Sequence, residues 1–417
     1  MTEKLETPVI IVGAGPAGAA TSIFLSKAKI PHIIIDKAVF PRDKVCGDAL
    51  SGKTLFVMRK ANPDWAKEIF NEPGKYTASH GIMFVAPNGK SIDIPFKGRQ
   101  HINEPTAGFT SPRLTFDHFL FKKIDPSFAT VFEDATLQKI KVEDPGVTVL
   151  FNRHGKNYEV HAKIIVGADG DKSQVQKSLS AIKASPKTHS VGLRAYYEGV
   201  TGMRENNFIE LHFLPEMLPG YFWIFPLPNG QANVGVGIPS ERVRTKKINL
   251  RELMLKTIEE NVTISQRFKN AKLTGKIQGW GLPLAAEPKP ISGNHFILTG
   301  DAACLIDPFS GEGIGNALYS GMLAAGAITK AIDIKRFDEA FLKQAYDDIL
   351  YGKLGSELKL SGRLQTLCKL PWLFNFLVNK ARKSPALSQT MSSMFADVDL
   401  RQKLKSPSFY VKIIFNR

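Results

Sequence analysis

The stretch that decides the fold is Thr7–Ala20, with the sequence TPVIIVGAGPAGAA. Its β-branched run Val9–Val12 is typical of a fully buried parallel strand, and the glycines that follow predict a tight turn into a helix. Gly13 allows the turn, Gly15 lets the backbone approach a pyrophosphate, and Gly18 lets helix and strand pack closely. Free N–H groups and the helix dipole favour an anion at this point. The alternative interpretation is a glycine turn that binds nothing.

The segment after this motif continues the pattern of a dinucleotide-binding protein. A second apolar strand, His32–Ile35, ends at Asp36, eighteen residues after Gly18. An acid at this strand end is suited to accept hydrogen bonds from an adenosine ribose. The next residues form a loop that contains a proline, a glycine and two cations, Arg42 and Lys44. The sequence predicts that this loop folds back over the dinucleotide.

Two residues near these motifs each have two interpretations. Cys46 lies beside Gly47 in the same loop, either next to a cofactor or substrate or as a small buried residue. Arg113 lies in the first turn of a predicted helix, where a cation opposes the helix dipole. A nearby phosphate or cofactor edge explains that position, and an exposed arginine is the alternative.

Two later strands end in further candidate nucleotide contacts. The run Lys163–Val166 is followed by Asp169 and Gly170, and another apolar strand ends at Gly300 and Asp301. A proline-containing loop and several glycines then open a helix. This loop supplies the remaining candidates for nucleotide contact: Pro308, Gly311, Gly313 and Ile314.

The chain between these motifs is mostly strand-like. Tyr221, Trp223 and Phe225 alternate along one strand, so they share one face and form an aromatic wall. Pro228–Gly230 then predicts a hairpin turn into a partner strand. The aromatic wall faces either a flat ligand or the ordinary core of a sandwich.

Together the motifs predict an α/β protein, because strands that end at Gly13, Asp169 and Asp301 can meet at one edge of a parallel sheet. We expect a Rossmann-type domain built from three chain segments, an inserted antiparallel β-sheet domain that binds substrate, and a C-terminal helical region. The predicted boundaries are, in that order, 1–75 with 111–185 and 291–335, then 76–110 with 186–290, and finally 336–417.

The composition is that of an ordinary globular protein of 417 residues, 43% of them hydrophobic. Cys46, Cys304 and Cys368 are too few and too scattered for a disulfide framework or a zinc site, which predicts a reducing compartment. The chain has no uninterrupted apolar run of about 18 residues, and its N-terminus lacks the basic region of a signal peptide. We therefore expect a cytoplasmic protein without a membrane-spanning helix.

The net charge of +16 is concentrated near the C-terminus. From Ser361 onward there are ten Lys or Arg residues and two Asp, which leaves +8 in the last 57 residues. These charges alternate with Pro371–Val378, Phe409 and Tyr410, which favours contact with the anionic inner face of the cytoplasmic membrane. A packed helical lobe with a solvated basic face is the alternative. Nucleic acid is disfavoured because no recognition motif is present, and we expect a monomer.

The motifs resemble two known patterns. Three of them resemble, in chain order, the FAD motifs of the p-hydroxybenzoate hydroxylase-type flavoproteins: Gly13-x-Gly15-x-x-Gly18, Ala168-Asp169-Gly170, and Gly300-Asp301 followed by Pro308 and Gly311-x-Gly313. Within that superfamily, two further stretches resemble the geranylgeranyl reductase family: Pro41–Ser51, and Tyr221-x-Trp223-x-Phe225-Pro226 followed by Gly235-x-Gly237.

That family reduces isolated C=C bonds of prenyl chains with FAD, using electrons from NAD(P)H or a ferredoxin-type donor. The resemblance therefore implies bound FAD, a donor that visits transiently, and an isoprenoid lipid as substrate. It also implies that Asp36 and Lys37 hold the adenosine end, and that Arg113 and Asp301 hold the pyrophosphate and ribityl region. The full set of expected cofactor contacts is Gly13, Gly15, Pro16, Ala17, Gly18, Asp36, Lys37, Arg42, Cys46, Gly47, Arg113, Asp169, Gly170, Gly300, Asp301, Pro308, Gly311, Gly313 and Ile314.

The reaction also needs a proton, because an isolated alkene that accepts a hydride develops charge on its other carbon. Cys46 is the best-placed candidate donor, since a thiol with a pKa of about 8.5 is protonated at neutral pH. Tyr221 and Trp223 complete the predicted catalytic set. The expected substrate contacts are Tyr221, Trp223, Phe225, Pro226, Gly235 and Gly237.

Two other functions use the same motifs. A flavin monooxygenase or halogenase shares all three FAD motifs. Halogenases carry Trp-x-Trp-x-Ile-Pro, and in this chain Tyr221 and Phe225 replace the first Trp and the Ile of that pattern. A flavin-bearing protein that binds lipid without catalysis is the second alternative. The mass of the product separates a reductase from a hydroxylase.

Overall fold

The computed structural model describes residues 2–96, 106–183 and 185–384. The strands in chain order are β1 (Thr2–Val12), β2 (His32–Ile35), β3 (Ala49–Leu50), β4 (Thr77–Ser79), β5 (Gly81–Val85), β6 (Ser91–Pro95), β7 (Gly108–Thr110), β8 (Ala129–Phe132), β9 (Ala135–Glu143), β10 (Gly146–Arg153), β11 (Lys156–Gly167), β12 (His189–Glu198), β13 (Ile209–His212), β14 (Tyr221–Pro226), β15 (Gln231–Pro239), β16 (Lys272–Pro283), β17 (Ser292–Gly293) and β18 (Phe296–Leu298). The helices are α1 (Pro16–Lys27), α2 (Gly52–Ala61), α3 (Asp64–Phe70), α4 (Arg113–Lys122), α5 (Gln174–Leu179), α6 (Ser240–Lys246), α7 (Leu250–Glu260), α8 (Val262–Phe268), α9 (Ile314–Ile334), α10 (Glu339–Leu342), α11 (Asp348–Leu367) and α12 (Pro371–Lys383).

The sheet that carries the opening stretch is parallel at its centre. Its strands follow the order β17-β18-β11-β1-β2-β8, and every neighbouring pair from β18 to β8 is parallel. Val9–Val12 lie in the middle of this sheet with at most 5% of their surface exposed, which explains why all of them are apolar. Because β1, β11 and β18 are parallel neighbours, the three predicted nucleotide motifs meet at one sheet edge. The predicted α/β fold with a Rossmann-type sheet is confirmed.

The second sheet has the order β16-β12-β15-β14-β13-β5-β6. Its hairpin around Pro228–Gly230 is formed by β14 and β15, as the turn sequence predicts. One pair departs from the expected antiparallel arrangement: β5 and β13 are parallel, because they come from separate chain segments with no hairpin between them. A small third sheet, β3-β7-β4, joins the residues that follow the Cys46 loop to the inserted segment.

Helix α12 packs against the second sheet. Phe374, Val378 and Ala381 on this helix are buried in a cluster with apolar residues of β5, β6 and β13. The predicted C-terminal region is helical through most of its described part, which ends at residue 384, whereas Phe409 and Tyr410 lie outside the described residues. In the described ranges, none of the helices combines the length and the apolar character that crossing a bilayer requires.

Candidate active site

A cavity of about 690 Å³ is lined by residues from both large sheets. All three segments of the Rossmann-type domain and the aromatic strand β14 contribute to it, so most of the residues predicted from the sequence are brought together. The predicted residues found in its wall are Gly13, Gly15, Pro16, Ala17, Asp36, Lys37, Arg42, Cys46, Gly47, Arg113, Asp169, Gly170, Tyr221, Trp223, Phe225, Gly237, Asp301, Pro308, Gly311, Gly313 and Ile314.

Four of the predicted contact residues lie outside this wall: Gly18, Pro226, Gly235 and Gly300. Gly18 instead makes room for the turn, because a Cβ atom there would lie 1.8 Å from the carbonyl oxygen of Gly13. Gly300 has a φ of +58° and lies against Ala17 and Ala317. Gly18 and Gly300 therefore support the wall from behind and do not line the cavity.

The glycine turn is held by Asp36. Gly13 has a φ of +100°, and a Cβ atom on it would lie 2.4 Å from the carbonyl oxygen of Ala168, so only glycine fits. The Asp36 carboxylate accepts hydrogen bonds from the backbone N–H groups of Ala14 at 2.7 Å and Ala38 at 2.8 Å. Asp36 therefore stabilises the turn as well as lining the cavity.

Two arginines beside the turn share one carboxylate. Arg42 lies against Gly15, since a Cβ atom there would be 3.2 Å from its guanidinium. Asp117 binds Arg42 at 2.6 Å and binds Arg113 through two hydrogen bonds of 2.6 and 2.7 Å. Burial alone would raise the pKa of Asp117, but the two guanidinium groups outweigh it and lower the pKa. Arg42 is thus the cation beside the glycine turn, and Arg113 is buried rather than exposed.

The remaining predicted acids are also engaged. Asp169 accepts hydrogen bonds from the Ser173 hydroxyl at 2.5 Å and from the backbone N–H of Gln174 at 2.6 Å, which ties it to the start of α5. Asp301 forms an ion pair of 2.8 Å with Lys44 from the loop after β2. Lys44 and Asp301 both line the cavity. Their ion pair therefore holds the loop after β2 against the cavity, where the sequence predicts that this loop folds back.

Cys46 lies in the cavity wall, and its surroundings act on the pKa of its thiol in opposite directions. Burial raises the pKa of the thiol, whereas the positive charge of Arg113 and the backbone N–H of Asp48 favour the thiolate. The carbonyl oxygen of Cys46 accepts a hydrogen bond of 2.7 Å from the side-chain amide of Asn233. Cys46 is therefore a neutral thiol in a setting that can also stabilise its anion.

The aromatic wall depends on the glycines opposite it. Tyr221, Trp223 and Phe225 all line the cavity, with ring centroids of adjacent pairs 6.2 and 6.1 Å apart. A Cβ atom on Gly235 would lie 2.2 Å from the Trp223 ring, whereas one on Gly237 would be 3.6 Å away. Gly235 therefore provides the space in which the indole of Trp223 lies. Because the indole covers Gly235, this glycine is absent from the cavity wall.

The sequence analysis missed two groups of residues. One is a polar cluster behind Cys46, formed by Asp48, Tyr196 and Asn233. The other is an apolar limb of the cavity beyond the aromatic wall, formed by Ile82, Phe96, Ile209, Leu211 and Phe309. Asp48 belongs to the Pro41–Ser51 stretch that carries the family resemblance, so its role could have been predicted from the sequence. The other residues offered no such signal, because the pairing of distant strands brings them to the site.

The wall fits a dinucleotide with an attached ring system. Helices α1 and α9 both begin at the cavity, after Gly15 and Gly313, and glycine has no side chain to cap their first N–H groups. At α1 those N–H groups are available to a pyrophosphate, whereas at α9 the Glu312 carboxylate accepts a hydrogen bond of 2.6 Å from the Gly315 N–H. Gly311, with a φ of +70°, brings the loop before α9 against the Tyr221 hydroxyl. These residues would hold FAD.

Residues 6–333 match the model of a family described as FAD binding domain. The chain belongs to this family. The predicted FAD cofactor is thereby confirmed.

Reductases are among the relatives of this flavoprotein. It is 27% identical over 409 residues to a menaquinone reductase of Mycobacterium tuberculosis, covering 94% of this chain and 92% of that one. It is 28% identical over 367 residues to a digeranylgeranylglycerophospholipid reductase of Methanococcus vannielii, covering 86% and 87%. The predicted resemblance to the geranylgeranyl reductase family is confirmed by these similarities.

Two solved structures share the fold. A geranylgeranyl bacteriochlorophyll reductase-like protein of Thermoplasma acidophilum has a TM-score of 0.78 at 20% identity, with 96% of this chain and 99% of that chain covered. A flavin-dependent brominase has the same TM-score and identity, with 98% of each chain covered. The fold alone therefore does not separate a reductase from a halogenase.

Proposed function

We propose that this flavoprotein reduces C=C bonds in the prenyl chain of a lipid, quinone or prenyl diphosphate. The observation that carries the proposal is one cavity wall in which the predicted FAD-binding residues, the Cys46 thiol and the aromatic wall of Tyr221, Trp223 and Phe225 occur together. Relatives named menaquinone reductase and digeranylgeranylglycerophospholipid reductase support it.

The apolar limb of the cavity suits a flexible hydrocarbon. It is formed by aliphatic side chains of β5 and β13 and by the phenyl rings of Phe96 and Phe309. Burial of apolar surface contributes roughly 25 cal/mol per Å², so each isoprene unit adds to the binding free energy without a polar contact. A small polar substrate would gain nothing from this limb. The limb therefore favours a reductase of prenyl chains over an oxygenase of polar aromatic compounds.

The residues around Cys46 suggest how the proton is supplied. Reduced FAD, when bound, supplies the hydride that adds to one alkene carbon. The Cys46 thiol then gives its proton to the other carbon, and the sulfur keeps the electron pair of the broken S–H bond. Arg113 and the backbone N–H of Asp48 stabilise the resulting thiolate, which regains a proton from solvent. Tyr221 and Trp223 hold the chain in place and exclude water.

We further propose that the enzyme docks on an anionic membrane through the end of α11 and through α12. This docking face consists of Leu367, Leu370, Trp372 and Phe376, whose side chains are 38 to 67% exposed. Residues 361–384 carry five Lys or Arg and no Asp or Glu. Large apolar side chains flanked by cations are typical of helices that lie in an anionic lipid surface.

The docking face lies close to the apolar limb. On the opposite side of α12, the Phe374 ring packs 4.7 Å from Phe213, which in turn stacks on Phe309 of the limb. Gln365, at the end of α11, lines the cavity and donates a hydrogen bond of 2.6 Å to the carbonyl oxygen of Pro308. A lipid substrate could thus pass from the bilayer to the cavity over a short distance. The electron donor, NAD(P)H or a ferredoxin-type protein, remains a prediction.

The proposal is tested by the mass of the product. Protein loaded with FAD is reduced with dithionite and incubated without oxygen with geranylgeranyl diphosphate, a menaquinone or a digeranylgeranylglycerol phospholipid. A reductase adds two hydrogen atoms per double bond, a monooxygenase in air adds one oxygen atom, and a lipid-binding protein leaves the mass unchanged.

A further inference from the structure

A buried polar cluster lies behind the Cys46 loop, and the chemistry described so far makes no use of its carboxyl group. It consists of Asp48 from the loop, Tyr196 from β12 and Asn233 from β15. Asp48 and Asn233 have no exposed surface. The Oδ2 atom of Asp48 accepts hydrogen bonds from the Tyr196 hydroxyl at 2.7 Å and from the Asn233 amide at 2.8 Å. Asp48 also has a φ of 65°, a conformation that non-glycine residues rarely adopt.

One oxygen of this carboxyl group has no partner. The Oδ1 atom of Asp48 is buried and makes no hydrogen bond with any described residue. An ionised carboxylate in this position would have one oxygen without a donor, and that arrangement is costly. Burial accordingly raises the pKa of Asp48 to about 7, although the hydrogen bonds from Tyr196 and Asn233 act in the opposite direction. Its charge therefore changes within the physiological pH range.

The cluster is connected directly to the candidate proton donor. Besides burial, the negative charge of Asp48 raises the pKa of the Cys46 thiol, and the backbone N–H of Asp48 lowers it. Asn233 donates hydrogen bonds to both the Cys46 carbonyl oxygen and Asp48. The other charged groups that face Asp48 are Arg194 of β12 and Arg113 of α4. Both keep their positive charge at every physiological pH. Asp48 is thus the group whose change of charge near neutrality reaches Cys46.

We propose that Asp48 is a positioning residue that controls how readily the Cys46 thiol releases its proton. When the Asp48 carboxyl is neutral, a thiolate at Cys46 forms with no other anion beside it. When Asp48 is ionised, its negative charge opposes the thiolate, and Cys46 keeps its proton more tightly. The consequence for the proposed reduction is a rate that falls as the pH rises through about 7.

Only one part of this inference rests on the proposed function, namely the predicted fall in the rate of prenyl reduction with rising pH. The effect of Asp48 on the acidity of Cys46 is a property of the FAD-loaded protein and needs no substrate. A measurement of that acidity can therefore contradict the inference while the protein is still a prenyl reductase. It can also support the inference if the protein has another function.

The test is the pH profile of Cys46 alkylation by iodoacetamide, followed by peptide mass spectrometry on the FAD-loaded protein. Asp48→Asn keeps the shape and the hydrogen bonds of the side chain, and asparagine tolerates the left-handed conformation. We expect it to alkylate about 3- to 10-fold faster than wild type at pH 8, because a shift of one pKa unit changes the thiolate fraction about tenfold. Below pH 6, where Asp48 is already neutral, the two proteins should react at similar rates.

A second variant tests the same inference from another side. Tyr196→Phe removes the hydroxyl that stabilises the ionised form of Asp48, so Asp48 should stay neutral to a higher pH. Its alkylation rate at pH 8 should fall between those of wild type and Asp48→Asn. Tyr197→Phe is the matched control, because Tyr197 is buried against Phe268 on the other face of β12.

The thiolate absorbance at 240 nm provides the same titration without a reagent, with Cys46→Ser as the blank. The predicted order of thiolate content at pH 8 is Asp48→Asn, then Tyr196→Phe, then wild type equal to Tyr197→Phe. Equal profiles for wild type and Asp48→Asn would overturn the inference. A shift by the same factor at every pH would also overturn it, since a purely structural change acts without regard to the charge of Asp48.

Discussion

The side-chain amide of Asn233 donates a hydrogen bond of 2.7 Å to the backbone carbonyl oxygen of Cys46. The amide oxygen of the same residue accepts the indole N–H of Trp223 at 2.8 Å. One residue of β15 therefore fixes both the loop with the candidate proton donor and the aromatic wall opposite it. The relative position of thiol and substrate depends on this link.

Replacing Asn233 with alanine should lower kcat/KM for prenyl reduction by about tenfold or more. The change leaves the Trp223 N–H, the Cys46 carbonyl and Asp48 without their partner, and each unpaired buried group costs about 1–3 kcal/mol. FAD absorbance should remain, because Asn233 is not in the cavity wall. Gln231→Ala, at the half-buried start of the same strand, is the control. Equal losses in the two variants would contradict the linking role of Asn233.

Two glycines on β15 allow a matched comparison. Gly235→Ala places a Cβ atom 2.2 Å from the Trp223 ring and from the Leu193 carbonyl oxygen, so the indole must move. Gly237→Ala places one 3.6 Å from the same ring, which is an ordinary contact. We expect Gly235→Ala to lower Tm by several degrees and to change tryptophan fluorescence, since forced packing costs about 1–3 kcal/mol. A larger effect from Gly237→Ala would contradict this account of the Gly-x-Gly pattern.

The main features of the fold could be predicted because their signals are local. The apolar run Val9–Val12, the turn at Gly13 and the acids at strand ends each show in a few consecutive residues, and they define the parallel sheet. The pairing of Asp117 with Arg113 could also have been predicted, because Asp117 lies four residues after Arg113 on one helix face and neutralises its charge.

The cluster around Asp48 could not be predicted in the same way. Tyr196 and Asn233 are 148 and 185 residues from Asp48 in the chain, and the hydrogen bonds depend on the register of β12 against β15. No short pattern encodes that register. The role of Gly235 was missed for the same reason: the ring that it accommodates belongs to the neighbouring strand β14.

The docking face should be needed for binding to anionic vesicles. The double variant Trp372→Ser with Phe376→Ser should partition about tenfold less into vesicles that contain phosphatidylglycerol, because burying one large side chain contributes roughly 1.5–3 kcal/mol. Binding of the unaltered protein should weaken with added salt, and it should be weaker on pure phosphatidylcholine.

The control for this face is Val262→Ser on α8, which removes another apolar side chain that is 79% exposed. It should bind vesicles as the unaltered protein does. If the double variant and the control partition equally, α12 is a helix with a solvated basic face and the docking proposal is wrong.

Cys46→Ala should slow alkene reduction by about a hundredfold or more, which is the lower range of what a positioned proton donor contributes. FAD should stay bound, since many other residues of the cavity wall remain in place. Cys304→Ala is the control, because Cys304 is also partly exposed but is absent from the cavity wall. Full turnover of Cys46→Ala would mean that the proton comes from another source, such as water.

The most direct test of the central claim is the mass of the prenyl product formed by the dithionite-reduced, FAD-loaded protein without oxygen. The probes are geranylgeranyl diphosphate, a menaquinone and a digeranylgeranylglycerol phospholipid, each also incubated with free reduced FAD as the blank. The account predicts that at least one probe gains two hydrogen atoms per reduced double bond, and only with the protein present. No gain in any probe, or the gain of one oxygen atom when air is admitted, would contradict it.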